Sequence, residues 1–290
     1  MRFRILRIRS TANGTNGISH AERLAPERTL SFAALPYALR VDSQFAYKGR
    51  RITRIVVKIV AKLRKIVYNT DCMKKAVLFD MDGTLIDASR DILVYLNATL
   101  TKYGYAEITL PEARRFVGNG ARKLVERAIK GKPCDEATLL KMVADYNNGY
   151  NFCDGSRTLV YDGMAELAAR LKKEGYKIAV VSNKPQDGAT EVVKRFFPTV
   201  GFDFVCGQRE GMKTKPDREC VDFTLKELGV TTDEAIFVGD SDTDFMTMKN
   251  ACVDGICVLW GYRSKEELTA IGATTFASTA CELYEKIKAF

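Results

Sequence analysis

An open, doubly wound α/β fold with a parallel sheet and an inserted all-helical cap domain is what this sequence of 290 residues predicts. Three observations lead there. Five short runs are apolar, four of them throughout and one, Phe202 to Cys206, broken only by Asp203, as strands buried on both faces of a parallel sheet are. Amphipathic helical stripes alternate with the later runs, the rhythm of β-α-β crossovers. The first and second runs stand about 100 residues apart, far more than one crossover helix requires.

The first run is Ala76 to Phe79. The long interval after it holds helix-like segments at about 89–103, 111–117, 120–130 and 135–151 and no convincing strand, so residues 89–157 read as a helical cap. The core is then assembled from 73–88 and 158–290. Met164, Leu167, Ala168 and Leu171 form a stripe that Gly175 stops, and the run Ile178 to Val181 follows. After the run Phe202 to Cys206, a stripe of Val221, Leu225 and Leu228 ends at Gly229, a residue suited to the left-handed backbone just past a helix. Ile236 to Val238 and Ile256 to Trp260 are the last two runs.

Residues 1–72 differ in kind. They carry 15 Lys/Arg against 4 Asp/Glu, so the net charge of +9 belongs to this extension, while the remainder, with 30 against 32, is slightly acidic. A nucleic-acid role for the main domain is therefore not indicated. Ile52, Val56, Ile59, Leu63 and Ile66 recur at helical spacing among basic residues, so 51–68 reads either as a basic amphipathic, membrane-surface or targeting segment or as part of a loosely structured tail. The tail is the favoured reading, and any membrane contact is expected through 51–68 alone. No apolar run approaches the roughly 18 to 20 residues of a membrane span. The eight cysteines include no C-x-x-C pair, and a reducing, cytoplasmic setting is expected. Because the single histidine is His20, chemistry in the main domain must run on carboxylates, lysines and hydroxyls.

Three runs end in polar clusters: Asp80-Met81-Asp82-Gly83-Thr84, Ser182-Asn183-Lys184, and Gly239-Asp240-Ser241-Asp242-Thr243-Asp244. The carboxyl ends of neighbouring parallel strands converge on one crevice, so these clusters are expected to meet. Several carboxylates crowded there repel unless a cation neutralises them, and an all-oxygen set suits Mg²⁺.

These strings resemble the motifs of the haloacid dehalogenase superfamily: Val77 to Leu85 the first, Val180 to Lys184 the second, Lys213-Thr214-Lys215-Pro216-Asp217 the third, and Val238 to Asp244 the fourth. The resemblance implies a Rossmann-type core and a Mg²⁺-dependent phosphatase. Asp80 is then the nucleophile and Asp82 the general acid and base. Mg²⁺ is expected on Asp80, the backbone carbonyl of Asp82, and Asp240, with Asp244 behind them. Ser182, the amide of Asn183, and Lys215 are expected on the phosphoryl oxygens. An insertion after the first motif is this superfamily's cap position, which favours a small phosphomonoester. Phe116 to Ala128 and Gly207 to Gly211 resemble phosphoglycolate phosphatases, which puts Asn119 and Arg122 near the substrate and makes 2-phosphoglycolate the first choice. A sugar phosphate, a nucleotide or pyrophosphate stays open as substrate. A sugar phosphomutase and a non-catalytic binding protein stay open as weaker alternatives, and the oligomeric state is left unassigned. A dehalogenase is disfavoured, because that reaction dispenses with the second aspartate and the metal.

Overall fold

The computed structural model describes residues 73–290 apart from Phe152; the extension and its 51–68 segment lie outside the described residues. Among the described residues, eight strands and ten α-helices run in the order β1 (Ala76–Phe79), β2 (Ile86–Asp87), α1 (Ser89–Lys102), α2 (Leu110–Phe116), α3 (Gly120–Ala128), α4 (Glu136–Asn151), β3 (Leu159–Val160), α5 (Met164–Lys173), β4 (Lys177–Pro185), α6 (Gln186–Phe196), β5 (Phe204–Gln208), α7 (Glu219–Leu228), β6 (Ala235–Gly239), α8 (Asp242–Ala251), β7 (Asp254–Val258), α9 (Lys265–Ala270), β8 (Phe276–Ala277) and α10 (Ala280–Ala289). A 3₁₀ turn, Thr232–Glu234, precedes β6.

Six strands form one sheet in the order β5-β4-β1-β6-β7-β8, and every pairing in it is parallel. β1 is the first strand in the chain yet central in the sheet. The chain builds outward from it through β4 to β5, then returns to its other side for β6, β7 and β8. That reversal opens a crevice at the carboxyl ends of β4, β1 and β6, the place where such sheets bind ligands.

The period of two along each strand divides the core. Val77 and Phe79 pack with Met164, Leu167 and Leu171 of α5 and with Leu283 and Ile287 of α10 on one face. Ala76 and Leu78 join Val221, Leu225 and Leu228 of α7 and Met248 of α8 on the other. All four residues of β1 are fully buried, which is why this stretch reads as one unbroken apolar run; burying a side chain such as Phe79 is worth roughly 1.5–3 kcal/mol. α7 ends at Gly229 with φ 62°, the left-handed cap its sequence announces.

β7 begins two residues earlier than the apolar run Ile256 to Trp260 suggests, because Asp254 and Gly255 pair with Ile236 and Phe237 through backbone alone. The interval after β1 holds α1 to α4, and it is bounded by two strands too short to show a period. β2 and β3 pair antiparallel, Ile86 opposite Val160 and Asp87 opposite Leu159. Both chain passages to the helical segment therefore run side by side. Among the described residues no helix is long and apolar enough to cross a membrane.

Candidate active site

Asp80 follows the last residue of β1, and its backbone N–H donates to the Val238 carbonyl of β6 at 2.8 Å, so the ladder between the two central strands extends to this residue. Its side chain meets Lys215, whose Nζ lies 2.7 Å from Asp80 Oδ1 and 2.7 Å from Asp244 Oδ1. Lys215 reaches this point from the loop between β5 and α7. It is held there by Asn183, whose Oδ1 accepts from the Lys215 N–H at 2.8 Å and whose Nδ2 donates to the Lys215 carbonyl at 3.0 Å.

Asp244 is fixed by the start of α8. Ser241 is the N-cap and its hydroxyl accepts from the Asp244 N–H, while the Asp244 carboxylate accepts back from the Ser241 N–H at 3.1 Å and the Ser241 hydroxyl at 2.6 Å. This reciprocal cap satisfies orphan donors of the helix. With Oδ1 on Lys215 and Oδ2 on the cap, both Asp244 oxygens are engaged, which suits a supporting position better than a ligand's.

Asp240, at the end of β6, accepts from the Tyr262 N–H at 2.7 Å and the Thr84 hydroxyl at 3.3 Å. Two glycines make room for its carboxylate. A Cβ on Gly83, whose φ is 98°, would lie 2.3 Å from Asp240 Oδ2, and one on Gly261 would lie 2.4 Å from the same atom. Any side chain at either position would displace the carboxylate.

Asp80, Asp240 and Asp244 together present oxygens within 4.8 Å of one another, all buried. Burial, then the charge of Asp244, push the Asp80 carboxyl up to about 7 even with Lys215 pulling it down. Asp240 is pushed well above its ordinary value by burial and by the charges of Asp244 and Asp80. Burial opposes the charge on Lys215, but the two carboxylates outweigh it and hold the ammonium above its usual range. The one ammonium in the cluster is bonded directly to Asp80 and Asp244 but not to Asp240, and this crowded, all-oxygen donor set fits a hard divalent cation.

Asp82 is turned differently. Its carboxylate lies 2.9 and 3.2 Å from Nζ of Lys184, which also donates to the Tyr150 hydroxyl of α4 at 2.9 Å. A cavity in front of Asp80 and Asp82 is walled by Ser182 and Lys184 from β4 and by Tyr146 and Tyr150 from α4. The Ser182 hydroxyl accepts from the Lys184 N–H at 3.2 Å.

The sequence-derived set therefore divides. Asp80, Asp82, Ser182 and Asn183 line the cavity, with Lys215, Asp240 and Asp244 gathered around Asp80. Asn119 stands at the start of α3, bonded to Thr243 at 2.8 Å and to Arg127 at 2.7 Å, so it ties the helical segment to the first turn of α8. Arg122 is not brought in: its guanidinium pairs with Glu126 at 2.8 Å and Glu136 at 2.6 Å on the surface. Lys184 and Tyr150 were absent from that set. The signal available for Lys184 was its place beside Ser182 and Asn183 at the end of a buried strand, where a cation needs an anion.

The family pattern of the haloacid dehalogenase-like hydrolases matches residues 77–258. A phosphoglycolate phosphatase of Psychrobacter arcticus is 32% identical over 207 residues, covering 69% of this chain and 90% of that protein. One from Colwellia psychrerythraea is 28% identical over 220 residues, covering 74% and 97%. Among solved structures, a candidate phosphoglycolate phosphatase of Lactobacillus delbrueckii subsp. bulgaricus superposes with a TM-score of 0.69 at 32% identity, covering 74% of this chain and 98% of that one.

Proposed function

The chain belongs to the haloacid dehalogenase-like hydrolases and is a phosphatase, and from that premise we propose that it hydrolyses a small phosphomonoester, 2-phosphoglycolate first, through a phosphorylated Asp80. The observation that carries the reading is Asp80 itself: a buried carboxylate at the end of the central strand, pinned by Lys215 and facing the cavity. Its relatives named above add the substrate.

Asp80 Oδ attacks phosphorus, and the bond from phosphorus to the ester oxygen breaks as Asp82 gives that oxygen a proton. Water then attacks the aspartyl phosphate, Asp82 takes the proton back, and the bond to Asp80 breaks to release phosphate. Dividing one hard displacement into two easier ones is the benefit of a covalent intermediate, and one carboxyl serving as acid and then base needs no histidine. Asp80, the carbonyl of Asp82, and Asp240 would hold Mg²⁺, with Asp244 supporting them. When bound, that ion offsets the charge that otherwise keeps a phosphate anion away from a carboxylate nucleophile. Ser182 and the Asn183 amide receive phosphoryl oxygens, and Lys215 adds positive charge where negative charge gathers.

Residues 89–157 act as a cap over a core of 73–88 and 158–290 and exclude water and large esters from the cavity. The setting in this reading is the cytoplasm, where thiols stay reduced.

The test is kcat/KM of the full chain over a panel of phosphomonoesters, with and without chelator. Activity that EDTA removes and Mg²⁺ restores, greatest on 2-phosphoglycolate, is the expected result. Asp240→Ala should raise the Mg²⁺ requirement sharply. Full activity in excess chelator would overturn the metal reading, and a clear preference for a sugar phosphate or nucleotide would overturn the substrate.

A further inference from the structure

We propose that Lys184 recognises a carboxylate on the leaving group, so that the site selects phosphate esters of α-hydroxy acids. The inference rests on the phosphatase reading above and adds a specificity residue to it.

Lys184 is buried, with 4% of its side chain exposed, and among the described residues it is the only cation that lines the cavity. An ammonium has three donors. Both Asp82 oxygens, at 2.9 and 3.2 Å, can share one of them, and the Tyr150 hydroxyl, at 2.9 Å, accepts another; one donor serves a ligand. Much of the remaining wall is apolar, including Ile92, Val117, Ala121 and Leu124. A buried cation in such surroundings is costly without anions to face it.

The position of Asp82 sets the length of the ligand. Asp82 serves the ester oxygen, and Nζ of Lys184 lies 2.9 Å from it, so an anion held by Lys184 sits within a few bonds of that oxygen. In 2-phosphoglycolate a single carbon separates the ester oxygen from the carboxylate. A carboxylate placed further along the leaving group overshoots the ammonium, and a neutral leaving group leaves it without a new partner. Sites built around a fixed buried donor reject analogues that lack the acceptor far more strongly than sites that only enclose them.

The test uses the full chain with Mg²⁺, as wild type and as Lys184→Met, on three esters: 2-phosphoglycolate, 2-hydroxyethyl phosphate, and the phosphate ester of 3-hydroxypropionate. Wild type is expected to favour 2-phosphoglycolate over 2-hydroxyethyl phosphate by about 10²-fold or more in kcat/KM, and Lys184→Met to collapse that ratio to within about fivefold of unity. The ratio is the readout because loss of Lys184 also frees Asp82 and slows every substrate alike. A ratio unchanged in Lys184→Met overturns the role of Lys184 and leaves the phosphatase reading standing. If wild type shows no preference, the substrate reading falls as well. Should Lys184→Met fail to fold, the wild-type series decides: the 3-hydroxypropionate ester is expected to lose at least about tenfold against 2-phosphoglycolate, and equal turnover of the two overturns the proposal.

Discussion

Two buried lysines each hold one of the two aspartates of the first motif, and they do so in opposite ways. Lys215 is enclosed by Asp80 and Asp244, with side-chain exposures of 2% for the lysine and 1% for Asp244, and the three groups come from the end of β1, the loop after β5 and the first turn of α8, with none from the helical segment. Lys184 joins Asp82 to Tyr150, so it spans from the sheet to the helical segment at the wall of the cavity. The first lysine neutralises charge within a closed cluster; the second borders the space where a ligand enters. Equal burial therefore does not imply equal duty.

The sharpest way to break this contrast is to remove the two aspartates in turn. Asp80→Asn is expected to cost on the order of 10⁴ to 10⁶ in kcat, the scale on which other covalent enzymes lose a nucleophile, with circular dichroism and melting temperature near those of wild type. Residual hydrolysis near the wild-type rate, with contamination excluded, would remove Asp80 from the chemistry. Asp82→Asn should cost about 10² to 10⁴, the worth of a positioned acid and base; a loss below tenfold would mean that another group moves the proton.

The lysines are next compared by urea unfolding. Lys215→Met leaves two buried carboxylates facing each other and is expected to cost about 3–5 kcal/mol of stability. Lys184→Met leaves Asp82 at the cavity wall, where water reaches it, and should cost less than about 2 kcal/mol. Equal losses would erase the distinction between a closed and an open cluster.

The smallest effect is that of pH on the Lys215 side. The Asp80 carboxyl is raised from 3.8 to about 7 in the metal-free fold, so the folded state keeps a proton that the unfolded chain has lost. Its contribution is fully present below 3.8 and is lost as pH rises through about 7. In chelator, melting temperature should therefore fall across that window, and Asp80→Asn should flatten the fall. Because a bound cation displaces the proton, the gain in Tm on adding Mg²⁺ should be larger near pH 8 than near pH 5.

How much of this was legible beforehand depended on the physical signal each feature leaves. β1 matches its apolar run residue for residue because both faces are buried, and four helices lie in the interval where amphipathic stripes appear. β2, β3 and β8 have two residues each, too few to carry a period, and β7 begins in Asp254 and Gly255, which enter the sheet by backbone bonding that no hydropathy pattern records. At the site, Asp80, Asp240 and Asp244 follow from strand ends that must converge. Tyr150 does not, since it meets Lys184 from 34 residues away across a helical segment whose packing spacing alone does not encode. Arg122 shows the reverse case: it stands near the right loop in sequence, yet its guanidinium pairs with Glu136 rather than facing the cavity.

The pairing of β2 with β3 has a mechanical consequence. The helical segment leaves and rejoins the sheet through two strands bonded to each other, so its covalent attachments form one narrow hinge. Away from that hinge polar contacts hold the segment, some of them side chains gripping backbone carbonyls: Arg263 donates to Arg114 and Arg115 at 3.1 Å, and Asn183 donates to Gly118 at 2.9 Å. The first connection cannot be given up without breaking strand pairing, whereas the second can be exchanged for water bond by bond. The molecule thus separates a hinge from a latch. Asn183 belongs to both the latch and the cradle of Lys215, so the state of the latch is felt one residue from the nucleophile.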